Sequence, residues 1–171
     1  VGGSGCKECY ERTVAGAAAC GGACGREPKS VVGVAGSKTV GADEVAEASE
    51  AGAHDFGENR PDSLEGKRAR FPQQTWHFIG NIQSRRIPDI VRDAALVHSL
   101  YQQRHVPKLD PAAAAPGKAQ DVLLEVTVSG EASKRGLAPR EVAGMLEDCA
   151  GFPHARVRGL RAQAPQGDPP R

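Results

Sequence analysis

Aromatic side chains are scarce in this 171-residue chain: one Trp, two Tyr and four Phe, 4% of the total. Any core must therefore be built mainly from Val, Leu, Ile and Ala. An excess of either charge is missing as well. Against 22 Lys and Arg stand 21 Asp and Glu, for a formal net charge of +1. That balance excludes a polyanion binder working by bulk charge, and it excludes an acidic-tail protein. No apolar run approaches the ~18 residues of a membrane helix. The uncharged stretch from Thr13 to Gly25, between Arg12 and Arg26, is too poor in large side chains for a signal-peptide core. It reads instead as a glycine-rich first helix. A cytoplasmic protein is expected, with neither membrane nor nucleic acid as partner. A leading Met is absent too, and a chain that begins at Val1 is expected to be a fragment.

What is present suits a folded domain. Hydrophobic residues make up 39% and charged residues 25%, the balance of a globular chain rather than a disordered one. A complete (β/α)8 barrel takes about 250 residues and at least about 200, so a whole one does not fit. The five cysteines, Cys6, Cys9, Cys20, Cys24 and Cys149, are odd in number and lack a secretory context, which argues against a disulfide framework. Cys6-x-x-Cys9 followed by Cys20-x-x-x-Cys24 has the look of a four-thiolate zinc knuckle. The short gap between the pairs and the lack of a further ligand favour an Ala/Gly/Cys-rich helix, and no metal ligand is assigned.

From residue 31 the pattern alternates. Val31 to Ala35 is expected as a buried strand, and a helix follows over about 43–51 with Gly52 as its stop. A short strand around His54 to Gly57 leads to a polar helix from Pro61. Trp76 to Ile79 is the third strand. Ile87, Ile90, Val91 and Ala94 recur at the helical period. Leu96 to Leu100 is the fourth strand, and a helix to about residue 109 ends in a Pro/Ala loop at 111–116. Val122 to Val128 is the β-branched fifth strand. Pro139 opens a helix with Val142, Met145, Leu146 and Cys149 as its apolar stripe, and Val157 to Ala162 is the sixth strand, followed by a loop-like tail. Six strand-helix units in succession imply parallel strands with right-handed crossovers, an α/β class. No dinucleotide fingerprint, P-loop, zinc-protease motif or nucleophile elbow accompanies them.

In such folds reactive groups gather where strands end. Strand one ends in Ser37-Lys38-Thr39, and a lysine just past an apolar strand is expected to be partly withdrawn from water, which frees its amine to attack a carbonyl. Strand two ends in Gly57-Glu58-Asn59, where Asn59 can bond a ligand or cap the next helix. His77 on strand three is either an interior polar group or a satisfied core histidine. Ser99 is the better of the two polar residues on strand four for a ligand contact. On strand five, Glu125, Thr127 and Ser129 are expected to face a barrel interior, with Leu124, Val126 and Val128 toward the helices.

Several motifs then occur in order: Ser37-Lys38-Thr39, Asp55-Phe56-Gly57-Glu58-Asn59, Trp76-His77-Phe78-Ile79-Gly80, Gln83-Ser84, His98-Ser99, Ser129 to Lys134, and Arg158-Gly159-Leu160. Together they resemble the YggS/PROSC-type pyridoxal phosphate homeostasis proteins, over about residues 10 to 168. The resemblance implies a (β/α)8 TIM-barrel-type domain like the N-terminal domain of alanine racemases, here a single domain over 1–171 with about six of eight units. Residues 1–30 would form an N-terminal helix and loop. It implies pyridoxal 5′-phosphate as cofactor, held as a Schiff base on Lys38, with Asn59 near it; His77 and Ser99, from their strand positions, are expected as further cofactor-binding residues. No catalytic residue is implied. The family's role is cofactor homeostasis without established turnover, and pyridoxal-phosphate-dependent apoenzymes are the expected recipients.

Four positions depart from the family pattern: Gly36 replaces Val, Tyr101 an acidic residue, Thr127 Asn, and Arg161 Met. The resemblance also puts the phosphate-holding segments beyond residue 171. One alternative function is a racemase-type enzyme, which needs a second acid/base, usually a tyrosine from another domain. Only Tyr10 and Tyr101 are available here. A second alternative is a cofactor-free or zinc-binding interaction protein.

Overall fold

The structure, a computed structural model, describes the backbone of residues 4–127 and 135–163 and the side chains of 7–127 and 135–162. The side chain of Cys6, the end of the fifth expected strand at Val128, the Ser129 to Lys134 motif and the tail from Ala164 lie outside the described residues. Six strands form one sheet in chain order: β1 (Ala35–Gly36), β2 (Asp55–Glu58), β3 (Thr75–Phe78), β4 (Leu96–Leu100), β5 (Gln120–Thr127) and β6 (Ala155–Gln163). Every neighbouring pair is parallel. Helix α1 (Ser4–Ala23) precedes the sheet. The crossovers are α2 (Ala42–Glu50), α3 (Pro61–Arg70), α4 (Ile87–Asp93), α5 (Val106–Ala114) and α6 (Val142–Ala150). Sequential order with all neighbours parallel is the arrangement of barrel units, in which each strand pairs with the next one along the chain.

Local chemistry explains where the helices begin and end. Pro61, Pro88 and Pro107 each stand in a first helical turn, where the missing N–H has no partner to lose. The Glu44 carboxylate accepts the Gly41 N–H at 3.0 Å and fixes the start of α2. That helix stops at Gly52, whose φ of +99° suits glycine.

The core lies between sheet and helices. Phe56, Trp76, Phe78, Leu64, Ile87, Ile90, Leu100, Leu109 and Leu124 are all less than 2% exposed. Phe56 and Trp76 are adjacent in register, with ring centroids 5.3 Å apart. The indole N–H is satisfied by the Phe71 carbonyl at 3.0 Å. On β5, Val122 and Leu124 join this core, while Glu125 and Thr127 lie on alternate positions of the strand.

Three expectations are corrected. The first strand is only Ala35–Gly36; Val31 and Val32 are 45% and 63% exposed, so the apolar run before it is surface, not sheet. Helix α5 continues through Pro111 to Ala114 where a loop was expected, because a proline in the second turn loses one hydrogen bond and the next turn re-forms with Ala115 N–H on the Pro111 carbonyl. Of the α6 stripe, Met145 and Cys149 are buried but Leu146 is 43% exposed. The apolar arc on this helix is narrower than the sequence spacing allows.

Candidate active-site mouth at the strand ends

Consecutive β/α units bring the C-terminal ends of β1 to β4 together as a staircase. Gly36 is level with Gly57, and the Ser37 N–H continues the ladder to the Gly57 carbonyl at 3.0 Å. Two residues further along each strand, Lys38 and Asn59 leave the sheet on neighbouring steps. Glu58 is level with Phe78, and the Ile79 N–H bonds the Glu58 carbonyl at 2.8 Å.

Lys38 is exposed, not partly withdrawn from water as expected, and among the described residues its amine has no hydrogen-bond or ion-pair partner. It sits at the second position of a tight turn closed by Val40 N–H on the Ser37 carbonyl, 3.2 Å. Asn59 is exposed as well. Beneath it lies Gly80, where a side-chain Cβ would fall 2.0 Å from the Asn59 carbonyl oxygen. Only glycine allows the two backbones to approach so closely. Ser99 is completely buried and donates its hydroxyl to the Gly80 carbonyl. It fixes the Gly80 turn from below rather than standing at the mouth.

His77 is 6% exposed and both ring nitrogens are engaged. Nε2 meets Asp55 Oδ1 at 2.8 Å, and Nδ1 meets His98 Nε2 at 2.8 Å. With the His77 Nε2–H donated to Asp55, Nδ1 is left to accept the Nε2–H of His98. The rings of His77 and His98 lie edge to face, 5.0 Å between centroids. Burial, the neighbouring His77 and the Arg161 guanidinium hold the His98 imidazole down at about 4, so it is neutral at pH 7. Asp55, His77 and His98 thus make a connected polar layer across β2, β3 and β4. Arg161 Nη1 reaches the Ile79 carbonyl at 3.4 Å, and Arg135 bonds the Glu125 carboxylate at 3.0 and 3.2 Å.

A further cluster went unassigned in the sequence. Glu58 is 1% exposed; its carboxylate accepts the Ser37 hydroxyl at 2.7 Å and pairs with Lys67 of α3. The available signal was an acidic residue inside an otherwise buried strand, which requires a cation, followed by a helix with a basic last turn. Beside the end of β1, an apolar groove of about 890 Å³ runs between α1, β1 and α2, lined by Tyr10, Val14, Val34, Ser37, Val40 and Phe56 among others; Lys38 and Asn59 are not among its lining residues. Among the described residues no three His, Cys, Asp or Glu side chains gather into a metal site. None of the described helices is long and apolar enough to cross a membrane.

The chain is similar in sequence and fold to known proteins. The chain is 40% identical over 142 residues to the pyridoxal phosphate homeostasis protein of Pseudomonas aeruginosa, and 32% identical over 151 residues to that of Escherichia coli. Those matches cover 82% and 85% of this chain but 62% and 64% of the relatives, so the chain spans less than two thirds of their length. Among solved structures, PipY of Synechococcus elongatus with PLP bound superposes with a TM-score of 0.72 at 29% identity, covering 80% of this chain and 65% of PipY. The alanine racemase of E. faecalis shares the fold alone, with a TM-score of 0.68 at 14% identity over 91% of this chain and 42% of the racemase. The sequence pattern of the alanine racemase N-terminal domain matches residues 28–170, every strand and crossover described above, and the chain belongs to that family.

Proposed function

We propose that the chain binds pyridoxal 5′-phosphate and serves cytoplasmic homeostasis of that cofactor, holding it without turnover and passing it to apoenzymes that need it. The carrying observation is the exposed amine of Lys38, unpartnered among the described residues, on a tight turn at the strand ends. Bound pyridoxal phosphate supplies an aldehyde, with which a lysine amine condenses as one water leaves. The donor set fits that end of the cofactor: Lys38 offers the amine, and Asn59 stands on the adjacent step with an amide able to donate and accept. Ser99 acts from behind by holding Gly80 against the Asn59 backbone. His77 acts from the polar layer it shares with Asp55 and His98. The names of the P. aeruginosa and E. coli relatives, and PLP bound in PipY, support the same reading. Free thiols at Cys9, Cys20, Cys24 and Cys149 suit a reducing compartment.

Turnover would need an acid/base opposite the lysine. Tyr101 donates to Asn81 Oδ1 at 3.2 Å, and the Tyr10 hydroxyl is 3.5 Å from the Gly52 carbonyl, just past the C-terminus of α2. The test is borohydride reduction in the presence of pyridoxal phosphate, followed by peptide mass spectrometry. The pyridoxyl adduct is expected on Lys38, lost in Lys38→Ala, with no racemisation of free amino acids by the same preparation. An adduct mainly on Lys108 or Lys134, or racemisation dependent on Lys38, overturns the reading.

A further inference from the structure

Among the described residues nothing pairs with the Lys38 amine, and β1 gives the sheet only two residues. The turn that carries it contains neither Gly nor Pro in its two central positions, Lys38 and Thr39, so its shape is not set by local backbone preference. The bracing comes from α3. The Lys67 ammonium donates to the Ser37 carbonyl at 2.6 Å, to the Val40 carbonyl at 2.9 Å and to the Glu58 carboxylate. An ammonium has three donors, and all three are used. Two of the acceptors flank Lys38, one residue before it and two after it. The third, Glu58, is almost wholly buried and also holds the Ser37 hydroxyl, so one carboxylate anchors both the brace and the start of the turn.

A salt bridge serving stability alone needs only the Glu58 contact. Placing the same ammonium on both carbonyls of the turn spends its hydrogen-bonding capacity on the backbone around one side chain. Arg68 and Arg70, its basic neighbours on α3, are directed elsewhere, to Asp93 and Asp43. A guanidinium, planar and forked, could not aim three donors at so compact a set of acceptors.

We propose that Lys67 is the positioning residue for Lys38: without touching cofactor, it locks the Ser37–Val40 turn so that the Lys38 amine is presented in one direction. This rests on the reading of Lys38 as the cofactor lysine. Two measurements on the full chain test it. In the cofactor-free protein, amide hydrogen exchange at Val40 is expected to quicken about tenfold or more in Lys67→Met, with the amides of β3 and β4 unchanged. With pyridoxal phosphate added and borohydride quenching at intervals, the pyridoxyl adduct on Lys38 is expected to form about tenfold more slowly. Unchanged Val40 exchange together with an unchanged adduct rate overturns the proposal. Lys67→Met leaves Glu58 buried without a cation and can fail to fold for that reason alone. The double variant Lys67→Met/Glu58→Gln removes both charges and then carries the same two measurements, with the same expected and overturning results. Absence of any adduct on Lys38 in the unaltered chain refutes the cofactor reading instead, and the Val40 exchange alone then decides whether Lys67 braces the turn.

Discussion

A methyl group on Gly80 has nowhere to go. It would meet the Asn59 backbone at 2.0 to 2.7 Å, atoms that belong to no flexible side chain. Gly80→Ala is therefore expected to cost about 3 kcal/mol, measured by urea unfolding, through displacement of buried backbone. Its effect should be concentrated on Asn59 and Ser99, the two residues this glycine ties together. The His98 ring gives a prediction in pH. Its folded value, lowered to about 4 by burial first, then by His77 and Arg161, lies below the ordinary histidine value of 6.5. The unfolded chain therefore binds more protons between those limits. Stability contributed by neutral His98 is complete above about pH 6.5 and is lost progressively as pH falls toward about 4. Arg161→Met removes one of the three causes, so the His98 titration, followed by its ring protons in NMR, is expected to move upward. A titration that stays in place would remove Arg161 from the account.

Helix α5 carries a proline in its second turn, and nothing else in the molecule requires one there. Pro111 has no N–H to give the Pro107 carbonyl, yet the helix closes again with Ala115. Pro111→Ala is expected to raise stability by about 1 kcal/mol, the regained helical bond and relieved ring contact exceeding the greater freedom of the unfolded chain. A higher thermal midpoint with unchanged helix content checks it. The same helix shows what the sequence could and could not yield. The strands at Leu96–Leu100 and the helix starts at Pro61 and Ile87 were legible, because alternation, proline and helical period agreed there. Pro111 and its Ala-rich surroundings read as a loop because proline is a local breaker, whereas Val106, Leu109 and Ala113, all completely buried, hold the helix through it. Val31 and Val32 misled in the opposite sense. Two β-branched residues signal a strand, but their position before β1 leaves them outside the sheet. At the mouth, Lys38 and Asn59 could be located from their motifs. The tie between Lys67 and the Lys38 turn spans thirty residues and two elements, and no spacing rule contains it.

Stability is distributed unevenly across the sheet. The middle strands β3 and β4 have neighbours on both sides and Trp76, Phe78, Val97 and Leu100 buried on them. Among the described residues β1 pairs only with β2, and over two residues. Amides of β3 and β4 are therefore expected to exchange only in global unfolding, and those of β1 through a smaller opening. Hydrogen exchange with increasing denaturant separates the two: merging of all strands into one exchange class would refute it.

The shortness of β1 has a consequence for how the protein would fail on warming. Lys38 hangs from the strand with the shortest ladder, and beyond two backbone bonds, Ser37 N–H to Gly57 and Val40 N–H to Ser37, the atoms that steady its turn are side chains from β2 and α3. Its surroundings can come apart while the aromatic core stays closed. Capacity to capture an aldehyde should thus disappear some degrees before the cooperative melt, and return on cooling without refolding of the whole chain. On the proposed cofactor reading, the molecule would act as a reversible thermal fuse, losing its hold on pyridoxal phosphate before losing its shape.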